Sequence, residues 1–435
     1  MSEFNNKMQK LNKFFKPVIK FMEEQKHLQA VKRSMLTLLP ITIIGSFTLV
    51  AMNIVQMVPN SAYAKFMTAN ENVIMLLFDF SMGLMGLYTA LFVAYFLADS
   101  YKMYPIGSCL TSIIMFLVLN SGLIDGRIDT TFLDAKGMFP GIFVAIISVE
   151  ITRYLNKKKF IIRMPKGVPD MVTKSFEIII PLIVNSLLFI FLRIGVFKLT
   201  GLLVPEIILK AMAPFVTSLD TVWGVMFLVF MIQLLWWFGI HGDAALSPIF
   251  LPIALQNVTE NAAAYGAGEP LTHVFTETVL SNFFLMSGSG ITIGLVILML
   301  FSKSKRYKSL GKISILPAIF GINEPVTFGT PIVYNPVMFI PYVIGPTILS
   351  FFIYMAFEIG LVPMAFIQSP GYTPWLLQGY LMNLSLRSAV LQILILIASI
   401  IMYYPFLKII EKEELLLEND KKEIDEELED LDLDF

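Results

Sequence analysis

Nine long apolar runs dominate the sequence and limit what it can fold into. They span about 34–57, 74–98, 106–124, 137–152, 176–199, 222–240, 283–301, 336–357 and 389–407. Each approaches the roughly 20 residues that a helix needs to cross the hydrocarbon core of a bilayer. Within lipid every backbone amide must be paired inside its own segment, so the runs are predicted to be helices. We therefore predict an all-α polytopic membrane protein with about ten transmembrane helices.

The composition excludes an ordinary soluble enzyme. Hydrophobic residues make up 56% of the 435 residues and charged residues 15%, against roughly 45–50% and 25% in soluble domains. The single cysteine, Cys109, excludes an intrachain disulfide and a multi-cysteine metal site, and its apolar surroundings favour a small core residue. No metal site is predicted. Nucleic acid is excluded as a partner, because no basic patch outside the apolar runs is interleaved with aromatic residues.

The net charge of −1 is the sum of a basic body and an acidic tail. Residues 411–435 carry a net charge of −10, which leaves +9 on the rest of the chain. The basic residues form three clusters, which lie before the first apolar run, between 153 and 174, and between 302 and 312. Their members are Lys7, Lys10, Lys13, Lys16, Lys20, Lys26, Lys32 and Arg33, then Arg153, Lys157, Lys158, Lys159, Arg163, Lys166 and Lys174, then Lys303, Lys305, Arg306, Lys308 and Lys312. The positive-inside rule predicts that these clusters and both termini are cytoplasmic. No cleaved secretory leader is expected, because the first basic segment is too long and too charged.

An irregular crossing is predicted between the second and third basic clusters. If both clusters are cytoplasmic, an even number of crossings must separate them, but only three clear apolar runs do so. The segment 245–259 is apolar, short, and contains two prolines. This composition predicts a re-entrant or discontinuous helix, and the whole C-terminal half is predicted to contain re-entrant hairpins and broken helices.

The pattern divides the chain into four parts. They are a basic cytoplasmic N-terminal segment (1–33), an N-terminal transmembrane half (34–200), a C-terminal transmembrane half with interrupted spans (201–410), and an acidic cytoplasmic tail (411–435). The tail is predicted to continue the last span as a helix, because apolar residues recur in it at helical spacing. These residues are Leu417, Ile424, Leu428 and Leu431. The tail is either a solvated end or a segment that contacts the basic loops or a partner.

The densest polar cluster at predicted membrane depth is the segment 321–336. Two glycines and two prolines within its first eleven residues cannot continue a helix, so this backbone must line a cavity or be buried in protein. Glu324 lies near its centre, and a carboxylate at that depth costs about 2.5–3.5 kcal/mol, so a functional role is predicted. The alternative is a loop at the membrane surface with Glu324 hydrated.

A second cluster follows the run at 222–240. Trp236 and Trp237 precede His241, which stands between Gly239 and Gly242. At neutral pH a histidine can both give and take a proton, and flanking glycines allow a ligand to approach the backbone. The alternatives are interfacial tryptophans and a buried structural histidine.

Amide and aromatic side chains complete the candidate site. Asn257 and Asn282 lie in a polar stretch between the two clusters, and Gln368 and Trp375 lie in a later Pro- and Gly-rich stretch. Amide groups suit a neutral polyhydroxy ligand, because each sugar hydroxyl needs both a donor and an acceptor. Trp375 either stacks on a sugar ring or anchors a span at the interface.

Two motifs carry a resemblance to a known family. FGIHG at 238–242 and GINEPVTFGTPIVYNP at 321–336 resemble the membrane permease component, enzyme IIC, of the sugar phosphotransferase system, in its lactose/cellobiose/diacetylchitobiose branch. The resemblance covers nearly the whole chain. It implies a protein of the bacterial cell membrane whose C-terminal half binds a disaccharide between two opposed re-entrant hairpins, and a homodimer formed through the N-terminal half.

The resemblance also implies a chemistry and a set of site residues. A phosphocysteine on a separate enzyme IIB protein transfers its phosphoryl group to the 6-hydroxyl of the sugar, so no cofactor is expected. Glu324 matches the family's glutamate that contacts this hydroxyl, and His241 matches its partner histidine. The predicted substrate-binding residues are Trp236, Trp237, Gly242, Asn257, Asn282, Asn323, Thr327, Asn335, Gln368 and Trp375. The stretch ending at Trp375 departs from the common pattern of cellobiose and chitobiose members.

Two other classes of protein remain open from the residues alone. A proton-coupled secondary sugar transporter would use Glu324 and His241 as a proton relay and leave the sugar unmodified. A channel fits less well, because several charges and broken helices at one site suit an occluding pocket better than a selectivity ring.

Overall fold

The computed structural model describes most of the chain. The described residues are 17, 20, 21, 24–124, 126–165, 167–370 and 373–430. Six residues used in the predictions on charge and on the tail lie outside this part of the chain. They are Lys7, Lys10, Lys13, Lys16, Lys166 and Leu431.

Helices form nearly all of the regular structure in the N-terminal half. They are α1 (Lys26–Met57), α2 (Ala62–Ala69), α3 (Glu71–Ile74), α4 (Leu76–Ser81), α5 (Met85–Ser100), α6 (Pro105–Asn120), α7 (Met138–Lys157), α8 (Asp170–Glu177) and α9 (Ile179–Thr200). Short 3₁₀ turns at Met82–Leu84 and Ala135–Gly137 precede α5 and α7. Strands β1 (Leu123–Ile124) and β2 (Arg127–Ile128) pair as an antiparallel hairpin after α6.

The C-terminal half is more interrupted. Its helices are α10 (Val204–Leu219), α11 (Val222–Trp237), α12 (Gly242–Ala267), α13 (Glu277–Val279), α14 (Ile293–Leu300), α15 (Lys305–Ile319), α16 (Glu324–Gly329), α17 (Pro336–Phe339), α18 (Gly345–Glu358), α19 (Trp375–Leu381) and α20 (Leu386–Asp430). Turns of π-helix at Leu280–Phe284 and Ile340–Ile344 follow α13 and α17.

Six helical segments among the described residues are long and apolar enough to cross a membrane. They are Lys26–Met52, Glu71–Ser100, Ala135–Lys157, Met171–Thr200, Pro336–Glu358 and Leu386–Asn419. A seventh is reached if α10 and α11, which bend by 75° at their junction, form one span. The prediction of an all-α membrane protein is confirmed, whereas the predicted count of about ten spans is not.

Two of the predicted spans, the runs at 106–124 and 283–301, are not among these six segments. The helix in the first is too short, and the second is interrupted by a turn. Helix α6 has 16 residues, about 24 Å at 1.5 Å per residue and less than the ~30 Å of the hydrocarbon core. The run at 283–301 contains a turn in which four residues between 287 and 291 have positive φ. Only its last part continues as α14, so its apolar sequence packs within the protein instead of forming one long helix.

Of the two forms predicted for 245–259, the discontinuous helix is wrong, because α12 runs through both prolines without interruption. The re-entrant form stays a prediction. Pro248 lacks the amide that would bond to the carbonyl of Ala244 four residues earlier. That carbonyl instead accepts hydrogen bonds from Lys32 Nζ at 2.8 Å and Ser247 Oγ at 3.0 Å. With 26 residues, α12 is about 39 Å long, but it is not among the described helices that are apolar enough to cross a membrane.

The turn after Phe284 packs closely against the segment that bears Glu324. A Cβ atom on Gly288 would lie 2.7 Å from Oδ1 of Asn323, and one on Gly290 would lie 2.4 Å from the ring of Tyr342. Both glycines also have positive φ, at 92° and 74°. Glycine is therefore needed here for close contact as well as for backbone conformation.

One continuous apolar core joins both halves of the chain. It contains Met35 and Val93 from the N-terminal half, and Trp237, Phe283 and Tyr342 from the C-terminal half, all fully buried. A smaller cluster between α6, α7 and α9 lies beside it. Cys109 is buried in α6, which confirms its prediction as a core residue.

The last helix continues far beyond its membrane-length part. Helix α20 has 45 residues and passes from the last apolar run into the acidic tail. This confirms the predicted helical extension as far as residue 430. Its acidic side chains contact the basic loop at 302–306, which was one of the two alternatives for the tail.

Candidate functional site

The two residues predicted to be catalytic lie beside each other although they belong to distant parts of the sequence. His241 is the N-cap of α12 and Glu324 is the first residue of α16. His241 Nε2 lies 3.7 Å from Glu324 Oε1, and the two side chains are 47% and 46% exposed. Both therefore reach a space that a ligand can enter.

Asp243 and Trp236 hold the imidazole of His241 from its other side. Asp243 Oδ1 lies 3.0 Å from His241 Nδ1 and accepts a hydrogen bond from Trp236 Nε1 at 2.9 Å. The indole of Trp236 lies against the imidazole, with ring centroids 4.3 Å apart. The hydrogen bond to Asp243 raises the pKa of His241, which lies in the connection between α11 and α12. The protonated imidazole is thereby favoured.

Two glycines shape the turn that carries His241. Gly239 has φ 78°, in the left-handed region that favours glycine. A Cβ atom on Gly242 would lie 2.1 Å from the carbonyl oxygen of Ile232. The predicted site residue Gly242 is thus required by packing at the start of α12.

Trp237 and Asn335 join the end of α11 to the segment after α16. The indole of Trp237 is fully buried and donates from Nε1 to the carbonyl oxygen of Asn335 at 2.9 Å. The amide of Tyr334 donates to the carbonyl oxygen of Trp237 at 3.0 Å. The side chain of Asn335 caps α17 by accepting from the amide of Val337. These two predicted site residues lie near the His241–Glu324 pair and connect its supporting segments.

Asn323 and Thr327 form a buried layer behind Glu324. Asn323 donates from Nδ2 to the carbonyl oxygen of Ser289 at 3.2 Å and to Thr327 Oγ1 at 3.1 Å. Thr327 Oγ1 in turn lies 3.3 Å from the hydroxyl of Tyr342. The contacts fix both ends of the first turn of α16.

Gln368 and Asn282 belong to a second polar network. Gln368 Nε2 donates to Glu277 Oε2, and its Oε1 accepts from Thr278 Oγ1 at 3.2 Å. Asn282 donates to Ser369 Oγ at 3.2 Å. The hydrogen bonds from Thr278 to Gln368 and from Asn282 to Ser369 are fully buried, and the one from Gln368 to Glu277 is part-buried. Glu277 was not among the predicted site residues, although its position among amide residues was a signal.

Asn257 and Trp375 are also buried. Asn257 donates from Nδ2 to the carbonyl oxygen of Phe275 at 2.7 Å, while its Oδ1 has no hydrogen-bond partner among the described residues. Trp375 is 9% exposed at the start of α19. Eight of the ten predicted substrate-binding residues therefore lie in the segments that carry or border the pair or in the second network, and Asn257 and Trp375 are buried elsewhere in the C-terminal half.

A charged cluster surrounds His273, which was not among the predicted site residues. Its Nδ1 lies 2.8 Å from Asp220 Oδ2 and its Nε2 lies 2.9 Å from Glu260 Oε2. Asp220 also accepts the amides of Val274 and Phe275. Burial opposes the charge on His273, but the two carboxylates raise its pKa to about 9. The only sequence signal was a histidine in a polar stretch between two helices.

The fold and the pair define the class of protein, which is a multi-span helical membrane protein with a polar site in its C-terminal half. The family profile described as "Phosphotransferase system, EIIC" matches residues 32–346. The chain belongs to this family. It is a sugar permease component of the cell membrane, of the cellobiose and lactose type.

Individual relatives agree with the family. The oligo-beta-mannoside-specific EIIC component of Bacillus subtilis (strain 168) is 29% identical over 425 residues, covering 95% of this chain and 96% of the relative. The lactose-specific EIICB component of Lacticaseibacillus casei is 27% identical over 436 residues, covering 96% of this chain and 74% of the relative. The crystal structure of the transporter ChbC, the IIC component of the N,N'-diacetylchitobiose-specific phosphotransferase system, matches with TM-score 0.85 and 31% identity. That match covers 94% of this chain and 99% of ChbC.

Proposed function

We propose that the chain binds a disaccharide of the cellobiose, diacetylchitobiose or lactose type, moves it inward, and presents its 6-hydroxyl for phosphorylation. The phosphoryl donor is the phosphocysteine of a separate IIB protein, and no cofactor of the chain itself takes part. The protein is thus a sugar phosphotransferase component that acts only together with IIB.

The observation that carries this proposal is the half-exposed pair of His241 and Glu324. A carboxylate that accepts a hydrogen bond from a hydroxyl can take its proton as the oxygen attacks. An imidazolium beside it can stabilise the negative charge on the phosphoryl group in transit. The 3.7 Å between Nε2 and Oε1 leaves both groups able to contact one sugar oxygen.

The proposed mechanism assigns one role to each charged group. Glu324 accepts the proton of the 6-hydroxyl, the sugar oxygen forms the new bond to phosphorus, and the bond between phosphorus and the cysteine sulfur of IIB breaks. His241, kept protonated by Asp243, donates to an oxygen of the phosphoryl group. Trp236 keeps Asp243 in place through its indole N–H.

The lactose-specific relative supports IIB as the partner. It is named an EIICB component, and this chain aligns with 74% of it. A permease and a IIB component joined in one relative imply that the two act on the same sugar. We infer that this chain receives its phosphoryl group from IIB in the same way.

The disaccharide pocket is proposed to include the second polar network. Trp236, Trp237 and Gly242 border the pair, and the amide groups supply donors and acceptors for sugar hydroxyls. They are Asn257, Asn282, Asn323, Asn335 and Gln368, joined by the hydroxyl of Thr327 and the indole of Trp375. In this structure most of these polar groups bond to protein groups, so sugar binding would replace protein partners with hydroxyls.

The arrangement in the membrane is proposed with both termini cytoplasmic and with two copies paired through residues 34–200. Large apolar side chains on the surface of α9 support contact with lipid or with a second copy. Leu187, Phe191 and Phe197 are 52%, 68% and 54% exposed. An exposed apolar surface of this kind is expected to be covered in a membrane protein.

The chemical form of imported sugar tests the proposal. Vesicles holding the protein would be given radiolabelled cellobiose, lactose or diacetylchitobiose, with phosphorylated IIB, unphosphorylated IIB or neither. We expect sugar phosphate inside only with phosphorylated IIB. Unmodified sugar concentrated inside by a proton gradient would contradict the proposal and support the secondary transporter, in which His241 and Glu324 relay a proton.

A further inference from the structure

The acidic face of the last helix contacts the start of α15. Glu411, Glu414 and Glu418 lie three and four residues apart, so they share one face of α20. Each accepts hydrogen bonds from residues between 302 and 306. These contacts join the tail to the helix that leads directly into Glu324.

Glu418 caps the N-terminus of α15. Its Oε1 accepts from Ser304 Oγ at 2.7 Å and from the amide of Arg306 at 3.1 Å, and its Oε2 accepts from the amide of Lys305 at 3.3 Å. The first amides of a helix have no partner within the helix, and a carboxylate there also meets the positive end of the helix dipole. Glu418 therefore fixes the position of this helix end.

Glu411 holds the turn just before α15. This carboxylate is 3% exposed and accepts from Ser302 Oγ and from the amide of Lys303, both at 2.6 Å. Its second oxygen accepts from Lys408 Nζ at 2.6 Å. A nearly buried charge with all of these partners cannot move without losing them.

Arg306 extends the contact to the helix that bears Glu324. Its Nη1 donates to Glu414 Oε2 at 2.8 Å, and its Nη2 donates to the carbonyl oxygen of Gly329 at 3.4 Å. Gly329 is the last residue of α16, and Glu324 is the first. Because only four residues separate the end of α15 from Glu324 at the start of α16, α16 is connected to α15 at both of its ends.

We propose that Glu414, Glu418 and Arg306 are positioning residues for Glu324: the tail holds the start of α15, and Arg306 holds the end of α16 to it. The inference rests on the proposed function, since it concerns the geometry of the proposed phosphorylation site. It gives the first two turns of the acidic tail a role in the placement of the Glu324 carboxylate beside His241.

A positioning role predicts a split between turnover and binding. In the double variant Glu414→Gln/Glu418→Gln we expect kcat for sugar phosphorylation to fall by roughly ten- to a hundredfold, as for a catalytic group displaced by about 1 Å. The KM for sugar should stay within about twofold of the wild-type value. A small displacement of Glu324 affects the transition state, whereas the contacts that bind the sugar before the reaction are kept. Arg306→Lys keeps one donor and should retain more activity than Arg306→Ala.

Glu413→Gln is the matched control. It removes one negative charge from the same helix turn, and its side chain is exposed. We expect wild-type kcat and KM for this variant. Equal loss of kcat in Glu413→Gln would show a general charge effect and overturn the positioning role.

Hydrogen–deuterium exchange of residues 324–330 separates this inference from the proposed function. We expect these amides to exchange faster in the double variant than in the wild type and in Glu413→Gln. Unchanged exchange in this segment overturns the inference, whatever the activity. A different result is faster exchange in the double variant while the wild-type protein forms no sugar phosphate. That result supports the connection between the tail and α16 and contradicts the proposed function.

Discussion

Trp236 donates from its indole Nε1 to Oδ1 of Asp243 at 2.9 Å, and the same oxygen lies 3.0 Å from Nδ1 of His241. A buried indole thus fixes a carboxylate, and the carboxylate fixes the imidazole that faces Glu324. Groups that orient a catalytic residue in this way affect the reaction without contacting the substrate.

Asp243→Asn should lower phosphorylation while preserving sugar binding. The amide keeps the shape of the side chain but removes the charge that raises the pKa of His241. We expect kcat to fall by about ten- to a hundredfold, the range for a misplaced catalytic group, and the optimum to move to lower pH. The measurement is the pH profile of sugar phosphate formation. Asp99→Asn, an exposed carboxylate on α5, is the control, and an unchanged profile for Asp243→Asn would remove this residue from the site.

His241→Ala should reduce both sugar binding and turnover, because the imidazole faces the substrate space as well as the phosphoryl group. We expect KM to rise and kcat to fall, by roughly two orders of magnitude or more in kcat/KM. The control is His27→Ala, another histidine that contacts a carboxylate, Glu150 at 2.9 Å. Unchanged kinetics in His241→Ala would assign this histidine a structural role.

Gly242→Ala should disturb the start of α12. The added Cβ atom would lie 2.1 Å from the carbonyl oxygen of Ile232, and overpacking of this kind costs about 1–3 kcal/mol. We expect a lower unfolding temperature in detergent, together with loss of sugar phosphorylation. Gly195→Ala in α9 is the control, because a Cβ atom there meets nothing within 4 Å. Equal unfolding temperatures for the two variants would show that the turn adapts.

The stability of the protein should depend on pH through His273. Its pKa is raised to about 9 by Asp220 and Glu260, so the protonated form stabilises the folded state. That contribution is complete below the unfolded-state pKa of roughly 6.5 and is lost as pH rises through about 9. We expect the unfolding temperature of the wild type to fall between these values more steeply than that of His273→Gln. Parallel curves would contradict a charged His273.

The sequence was sufficient for the all-α membrane class and, through the family resemblance, for naming His241 and Glu324, which lie 3.7 Å apart. Long apolar runs indicate helices that are buried in lipid or in protein, and the two motifs carried the family resemblance. The sequence was misleading at Pro248, where a break was predicted. The carbonyl that this proline leaves without a backbone donor is bonded to Lys32 of α1, and a tertiary contact of this kind has no local signal.

The predicted count of about ten spans is not confirmed for a related reason. The run at 283–301 is as apolar as a transmembrane helix, but a turn with positive φ interrupts it so that Gly288 can pack on Asn323. Hydropathy measures burial and does not distinguish lipid from protein. The role of Asp243 was missed as well, because a carboxylate beside a histidine is meaningful only once their distance is known.

Glu324→Gln tests the central claim most directly. The amide retains the size and hydrogen-bonding capacity of the side chain but cannot take the proton of the sugar hydroxyl. In vesicles with phosphorylated IIB and radiolabelled disaccharide, we predict unchanged sugar binding and a loss of sugar phosphate formation by about two to four orders of magnitude. Sugar phosphate formation near the wild-type rate would contradict the assignment of Glu324 as the proton acceptor.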